Sequence, residues 1–320
     1  MRLLFITSNR LGDAVLSTSV LRHYVETYPG IRVTVACGPV AAPIFEGVPN
    51  LERIIKMPKQ KRGGHWWKLW KSVVLNWWDI IVDLRGSATA FVLPGWKRIV
   101  FSGNDDQMHR VEQMARMIGR SDALFPKIWT NPRAEKRAAE ILPSENREIL
   151  AVGPSANWGG KTWEAFRFVD LIARLRAADG LLPNAHVFIV GAPSEYNAVK
   201  PVIESVVPED RTVSFGNEDL LTVQACLERC SMYIGNDSGL MHMAAAAGTP
   251  TLGLFGPTRE DLYGPYGRLT SYVRTDLSHE EIWAAGEIWR SHQTQMGSLS
   301  VDKVLAAAHK LLKGRSGSLS

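Results

Sequence analysis

The chain has 320 residues, 45% of them hydrophobic, with 37 Lys and Arg against 32 Asp and Glu. This length allows two domains that each bury a core, and the composition excludes disorder. No apolar run approaches the ~20 residues needed to span a bilayer. The charge is uneven: residues 1–142 hold 21 basic and 12 acidic side chains, and the remainder hold 16 and 20. A basic first half points to an anionic partner there, whether a substrate, a membrane surface or a nucleic acid. Three cysteines, Cys37, Cys226 and Cys230, are too few for a disulfide framework and lack a zinc partner set. Core thiols in a reducing cytosol are the expectation. The start of the chain does not read as a signal peptide, because its apolar run meets polar Thr7-Ser8-Asn9-Arg10 at once.

Arg2 to Ile6 reads as a buried parallel strand. A loop with Gly12 and Asp13 follows, then a helix with an apolar stripe from Ala14 to Tyr24, then a strand from Ile31 to Ala36. This is a β-α-β unit whose first loop lies where open α/β sheets bind ligands. The loop carries neither GxGxxG nor GxxxxGK[ST], which argues against a dinucleotide fold and a P-loop NTPase. Asp13 reads either as a helix-start carboxylate or as a group able to take a proton from a hydroxyl. A short helix at 39–45 and a strand at 51–57 lead to a basic loop with Lys59, Lys61 and Arg62. The stretch from Trp66 to Trp78 holds five tryptophans interleaved with Lys68 and Lys71. It reads as an amphipathic helix with Trp66, Trp70, Val73, Val74 and Trp77 on the sheet, or as an interfacial helix on anionic lipid. No nucleic-acid-binding motif accompanies it. Strands follow at 79–84 and 97–101, with helices at 89–93 and 111–118. Asp105-Asp106 reads as a helix cap, since no ligand set supports a metal. The prolines and charged helix of 126–141 mark a boundary, so the domains are expected at 1–142 and 143–278.

The second half repeats the rhythm, with strands at 148–152, 185–190 and 213–214 and helices at 165–178, 195–206 and 220–229. Its first loop, Gly153 to Trp163, carries Ser155 and Lys161, and the loop after the next strand carries Glu195. Alone, Lys161 reads as a solvated lysine and Glu195 as a helix-start carboxylate. The stretch IGNDSGLMHMAAAAGTPTLGLFGPT then gives a strand, a sharp turn, a helix from Leu240 to Ala247 closed by Gly248 and Pro250, and a strand from Thr251 to Phe255. Its turn puts Asp237 and Ser238 at a helix N-terminus, a place that suits a phosphate, with His242 four residues after Ser238 on the same face. An ordinary capped helix with a satisfied histidine is the plainer reading. Strand carboxyl ends line one sheet edge, so these three loops converge. Together they offer a cation, hydroxyls and two carboxylates, a set that suits a nucleotide diphosphate carrying a sugar. A mostly helical run from Ser278 to Leu312 and a frayed tail from Gly314 close the chain.

NDSGLMHMAAAAGTPTLGLFGPT resembles the signature of glycosyltransferase family 9, the ADP-heptose:lipopolysaccharide heptosyltransferases and their relatives. RLGDAVLSTSVLRHYVETYP, WDIIVDLRGS, GPSANWGGKTW and GAPSE are similar to further segments of that family, in the same order. The resemblance implies a GT-B type α/β fold, two Rossmann-like doubly wound domains facing across a cleft, with helices in 279–320 packing back on the first domain. It implies inverting transfer of a heptose or related sugar from an ADP-sugar to the lipopolysaccharide core or lipid A–Kdo acceptor, with no metal and no cofactor. By position, Asp13 would be the general base. Ser155 and Lys161 would bind the diphosphate, Glu195 the ribose, Asp237 the sugar hydroxyls, and Ser238, Gly239 and His242 the phosphates. Lys59, Lys61 and Arg62 would meet the anionic, lipid-linked acceptor. The protein is expected in the cytoplasm, with peripheral contact to the inner membrane and no nucleic-acid partner. The alternatives are a family member with another donor sugar, a nucleotide-sugar epimerase of the same fold, and a non-catalytic lipid- or sugar-binding protein.

Overall fold

The computed structural model describes every residue except 104, 144–145, 287, 289–292 and 318–320, and no side chain of 315–317. The chain divides into two compact units, Met1–Asn131 and Pro132–Ser320. The boundary thus precedes the charged helix instead of following Leu142, because that helix packs within the second unit.

The first unit runs β1 (Arg2–Ile6), α1 (Leu11–Thr27), β2 (Arg32–Cys37), β3 (Leu51–Lys56), α2 (Gly64–Val73), β4 (Trp78–Asp83), α3 (Thr89–Val92), β5 (Gly95–Val100) and α4 (Arg110–Met117). Its strands form one sheet in the order β3-β2-β1-β4-β5, every pairing parallel. The central strands are apolar on both faces because helices cover both. On one face Leu4, Ile6 and Ile81 pack on Leu69 and Val73 of α2, with Trp66, Trp70 and Val74 half-buried beside them. The tryptophan-rich helix is shorter than expected: it stops at Val73, and Trp78 opens β4 with its indole N–H donating to the Val73 carbonyl at 3.1 Å. Trp77, expected on the sheet, is exposed. The cap of α4 is His109, whose Nδ1 accepts from Val111 N at 3.2 Å. Asp105 lies too far upstream and instead accepts from Gln107 N.

The second unit runs α5 (Pro132–Ile141), β6 (Ile149–Gly153), α6 (Ala165–Arg176), β7 (His186–Val190), α7 (Tyr196–Glu204), β8 (Arg211–Ser214), α8 (Leu220–Glu228), β9 (Met232–Asn236), α9 (Gly239–Ala246), β10 (Thr251–Phe255), α10 (Glu260–Tyr263), β11 (Thr270–Arg274), α11 (His279–Ala284) and α12 (Val301–Gly317). The sheet order is β11-β10-β9-β6-β7-β8, again all parallel. Both units therefore share the doubly wound order, and each reverses direction beside its first strand: between β1 and β4, and between β6 and β9. The core of the second unit joins Leu150, Val152, Ile234 and Leu254 to Phe168 of α6 and to Val304 and Ala308 of α12. The last helix, expected to return to the first domain, is thus built into the core of the second. Part of the expected helical run, 287 and 289–292, and the last three residues of the expected tail lie outside the described residues. The three cysteines are buried and free, as expected of core thiols.

Candidate active site

In the second unit, the strand ends flanking the switch point are Gly153 and Asn236. The chain leaves β6 through buried Ser155 and turns at Gly159–Lys161. That turn is held from two sides. Asn236, fully buried at the end of β9, accepts from Trp163 N through Oδ1 at 3.1 Å. Gln295 N donates to the Gly160 carbonyl at 3.0 Å, Thr294 Oγ1 to the Thr162 carbonyl at 2.6 Å, and the Trp163 indole to the Leu299 carbonyl at 2.8 Å. The segment 294–299 therefore fixes the loop that carries Lys161, a role its sequence does not announce.

Lys161 Nζ lies 3.0 Å from Asp237 Oδ2, and both side chains are largely buried. Ser155 Oγ donates to Glu195 Oε2 at 2.7 Å, and the same carboxylate oxygen accepts from Ala192 N at 2.9 Å. The carboxyl-end loops of β6, β7 and β9 are thus stitched together, as their convergence predicts. Ser238 is the N-cap of α9 by position, with extended backbone, but its hydroxyl makes no capping bond. The first-turn N–H groups of α9 therefore keep their capacity for an anion. Gly239 opens α9, and His242 is buried one turn on.

In the first unit, Asp13 sits in the first turn of α1 and accepts from Ser8 Oγ at 3.3 Å. Across the switch point, buried Asp83 accepts from Arg85 N at 2.9 Å, Ser87 N at 2.8 Å and Ser87 Oγ, which shapes the loop after β4. That loop aims Arg85 at Asn9 Oδ1, 3.3 Å away, and lays its guanidinium 4.6 Å from the Trp66 ring centroid. Lys59, Lys61 and Arg62 are exposed on the loop before α2. Arg62 takes a left-handed φ of 53°, a strained conformation for this residue type. Burial first, then the Arg85 and Lys59 charges, lowers the pKa of His65. Arg85, Asn9 and His65 were not singled out by sequence; a basic residue two positions after a strand-ending aspartate is the signal that could have found Arg85.

The model of glycosyltransferase family 9 (heptosyltransferase) matches residues 66–284. The chain belongs to glycosyltransferase family 9. It is similar to lipopolysaccharide heptosyltransferase 2 of Salmonella typhimurium, 21% identical over 98% of this chain and 99% of that protein. Among solved structures, a family 9 glycosyltransferase from Veillonella parvula superposes with a TM-score of 0.79 at 20% identity, covering 98% of this chain and 97% of the other. The Escherichia coli heptosyltransferase WaaC, solved with ADP, gives 0.72 at 18% identity, with 97% and 100% covered. The fold is accordingly of the GT-B type, and the protein is a glycosyltransferase. Of the residues predicted for a family 9 donor site, Ser155, Lys161, Glu195, Asp237, Ser238, Gly239 and His242 all fall on the carboxyl edge of the second sheet or the helix that follows. Asp13, Lys59, Lys61 and Arg62 fall on loops of the first unit. Among the described residues, no group of three His, Cys, Asp or Glu could hold a metal ion, and no helix is long and apolar enough to cross a membrane.

Proposed function

We propose that this glycosyltransferase moves a heptose from ADP-heptose to a sugar hydroxyl of the lipopolysaccharide core or lipid A–Kdo acceptor, with inversion at the anomeric carbon. The observation that carries this reading is the Lys161–Asp237 pair beside the uncapped N-terminus of α9, in a chain similar over nearly its whole length to lipopolysaccharide heptosyltransferases. A diphosphate at the α9 terminus gives Lys161 a second anionic partner and leaves Asp237 free to accept from sugar hydroxyls. Glu195 accepts from the ribose while Ser155 holds it in place. In the transfer step, Asp13 takes the proton of the acceptor hydroxyl. The hydroxyl oxygen bonds to the anomeric carbon as the bond to the diphosphate oxygen breaks, and ADP leaves with both bonding electrons. Lys161 and the α9 N–H groups stabilise the charge that develops on it.

The acceptor side is basic and bordered by apolar surface. Lys59, Lys61, Arg62 and Arg85 suit the anionic groups of a lipid-linked sugar. Trp67, Leu75, Trp77, Phe91, Val92 and Trp96 are exposed within one stretch of the first unit, among Lys68, Lys71 and Lys97. Such a mixture favours peripheral binding to the cytoplasmic face of an anionic membrane. Assaying Asp13→Ala tests the reading: transfer should fall while ADP binding stays near that of the parent, and retained transfer removes Asp13 from the role of base.

A further inference from the structure

Three buried polar atoms at the end of β9 are left over once the donor site is built. The Tyr233 hydroxyl, Ser238 Oγ and Asn236 Nδ2 are all buried and make no hydrogen bond. Tyr233 is fully buried. Its ring runs along the sheet to the switch point and fills the space above two glycines. A Cβ on Gly153 would stand 2.0 Å from the Tyr233 hydroxyl, and one on Gly235 2.4 Å. The last residue of β6 and the penultimate residue of β9 thus lack side chains where this phenol lies.

The position also fixes what the hydroxyl can do. Burial raises its pKa, and the nearby Glu195 and Asp237 charges act the same way, so the phenol stays protonated and is a donor. Ser238 is the one hydroxyl that acts on it, in the opposite sense, yet the two oxygens do not meet in hydrogen-bond geometry. A phenylalanine would fill the same volume without a stranded donor, and a stranded buried donor is destabilising. The group therefore fits a state in which Ser238 has turned.

We infer that Tyr233 is a positioning residue of the donor site: its hydroxyl donates to Ser238 Oγ when Ser238 turns its own proton to a diphosphate oxygen. The inference rests on the donor reading above. Tyr233 touches no ligand; it sets the direction of the Ser238 hydroxyl from beneath.

The experiment is a double-mutant cycle read by calorimetric titration of the full chain with ADP, using the parent, Tyr233→Phe, Ser238→Ala and the double variant. Tyr233→Phe should weaken ADP binding about 3–10-fold, in line with one hydrogen bond. It should have no further effect once Ser238 is alanine, and its melting temperature without ADP should equal or exceed that of the parent. A purely structural tyrosine would lower the melting temperature and act equally in both backgrounds, and either result overturns the inference. ADP affinity unchanged in Tyr233→Phe overturns it alone, whereas a parent that does not bind ADP overturns the donor reading and the inference with it.

Discussion

The two switch points have one topology and opposite chemistry. Beside β6 and β9, charged and polar side chains are buried and pair with one another, Lys161 with Asp237 and Ser155 with Glu195, around an uncapped helix end. Beside β1 and β4, Asp13 accepts from Ser8 at 3.3 Å, and Lys59, Lys61 and Arg62 stand at the surface. The first arrangement holds its charged groups in fixed pairs, which suits the proposed grip on a diphosphate. The second leaves the Asp13 carboxylate only partly buried, which fits the proposed removal of a proton from an acceptor hydroxyl. On the proposed function, one doubly wound frame would serve donor binding and proton removal through loop residues alone.

The comparison breaks most sharply at Asp13. Replacing it with alanine should lower turnover about 10²–10⁴-fold and leave calorimetric ADP affinity unchanged; a matching loss of ADP affinity would erase the division of labour. On the other side, Lys161→Ala should weaken ADP binding about 10–100-fold, the worth of a charged hydrogen bond to phosphate. Affinity within twofold of the parent would remove the lysine from the donor site. Arg85→Ala sharpens the first unit: a rise of about tenfold in the KM for the lipid acceptor, with ADP affinity unaltered, is expected from steady-state kinetics. The smallest effect is on stability. His186, at the start of β7, has its pKa pushed down to about 4 by burial and then by Arg147, with Asp210 opposing. Because the folded value lies below that of the unfolded chain, its contribution is complete above pH 6.5 and is lost as pH falls toward about 4. Denaturant melts should show a loss on the order of 1–2 kcal/mol across that window, the full shift being reduced by solvent screening of a half-enclosed ring, and His186→Gln should flatten it. An unchanged acid limb in that variant would assign the loss elsewhere.

Much of this was readable because parallel strands buried on both faces show as short apolar runs, and the candidate site residues stand in the turns that end them. Asp13, Ser155, Lys161, Glu195 and Asp237 stood out for that reason. β11 was missed because its residues, Thr270 to Arg274, are mostly polar and half-exposed at a sheet edge. Trp77 and Trp78 read as helix because aromatic runs carry no period of their own; tertiary pairing of Trp78 with Gly95 decided for strand. The clamp from 294–299 on the Lys161 loop joins residues more than a hundred positions apart, and no local pattern records such a contact. Tyr233 was hidden for the opposite reason: inside an apolar strand it looks like core, and only the two glycines facing its hydroxyl mark it as something else.

The central claim is sugar transfer from a nucleotide donor to a lipid-linked hydroxyl. It is tested most directly by incubating the full chain with isotope-labelled ADP-heptose, with and without isolated lipid A–Kdo acceptor, and analysing every product. The account predicts labelled lipid and an equal amount of ADP when acceptor is present, and an unaltered donor sugar when it is absent. An isomerised sugar from the donor alone, or intact ADP-heptose beside unlabelled acceptor, would contradict it.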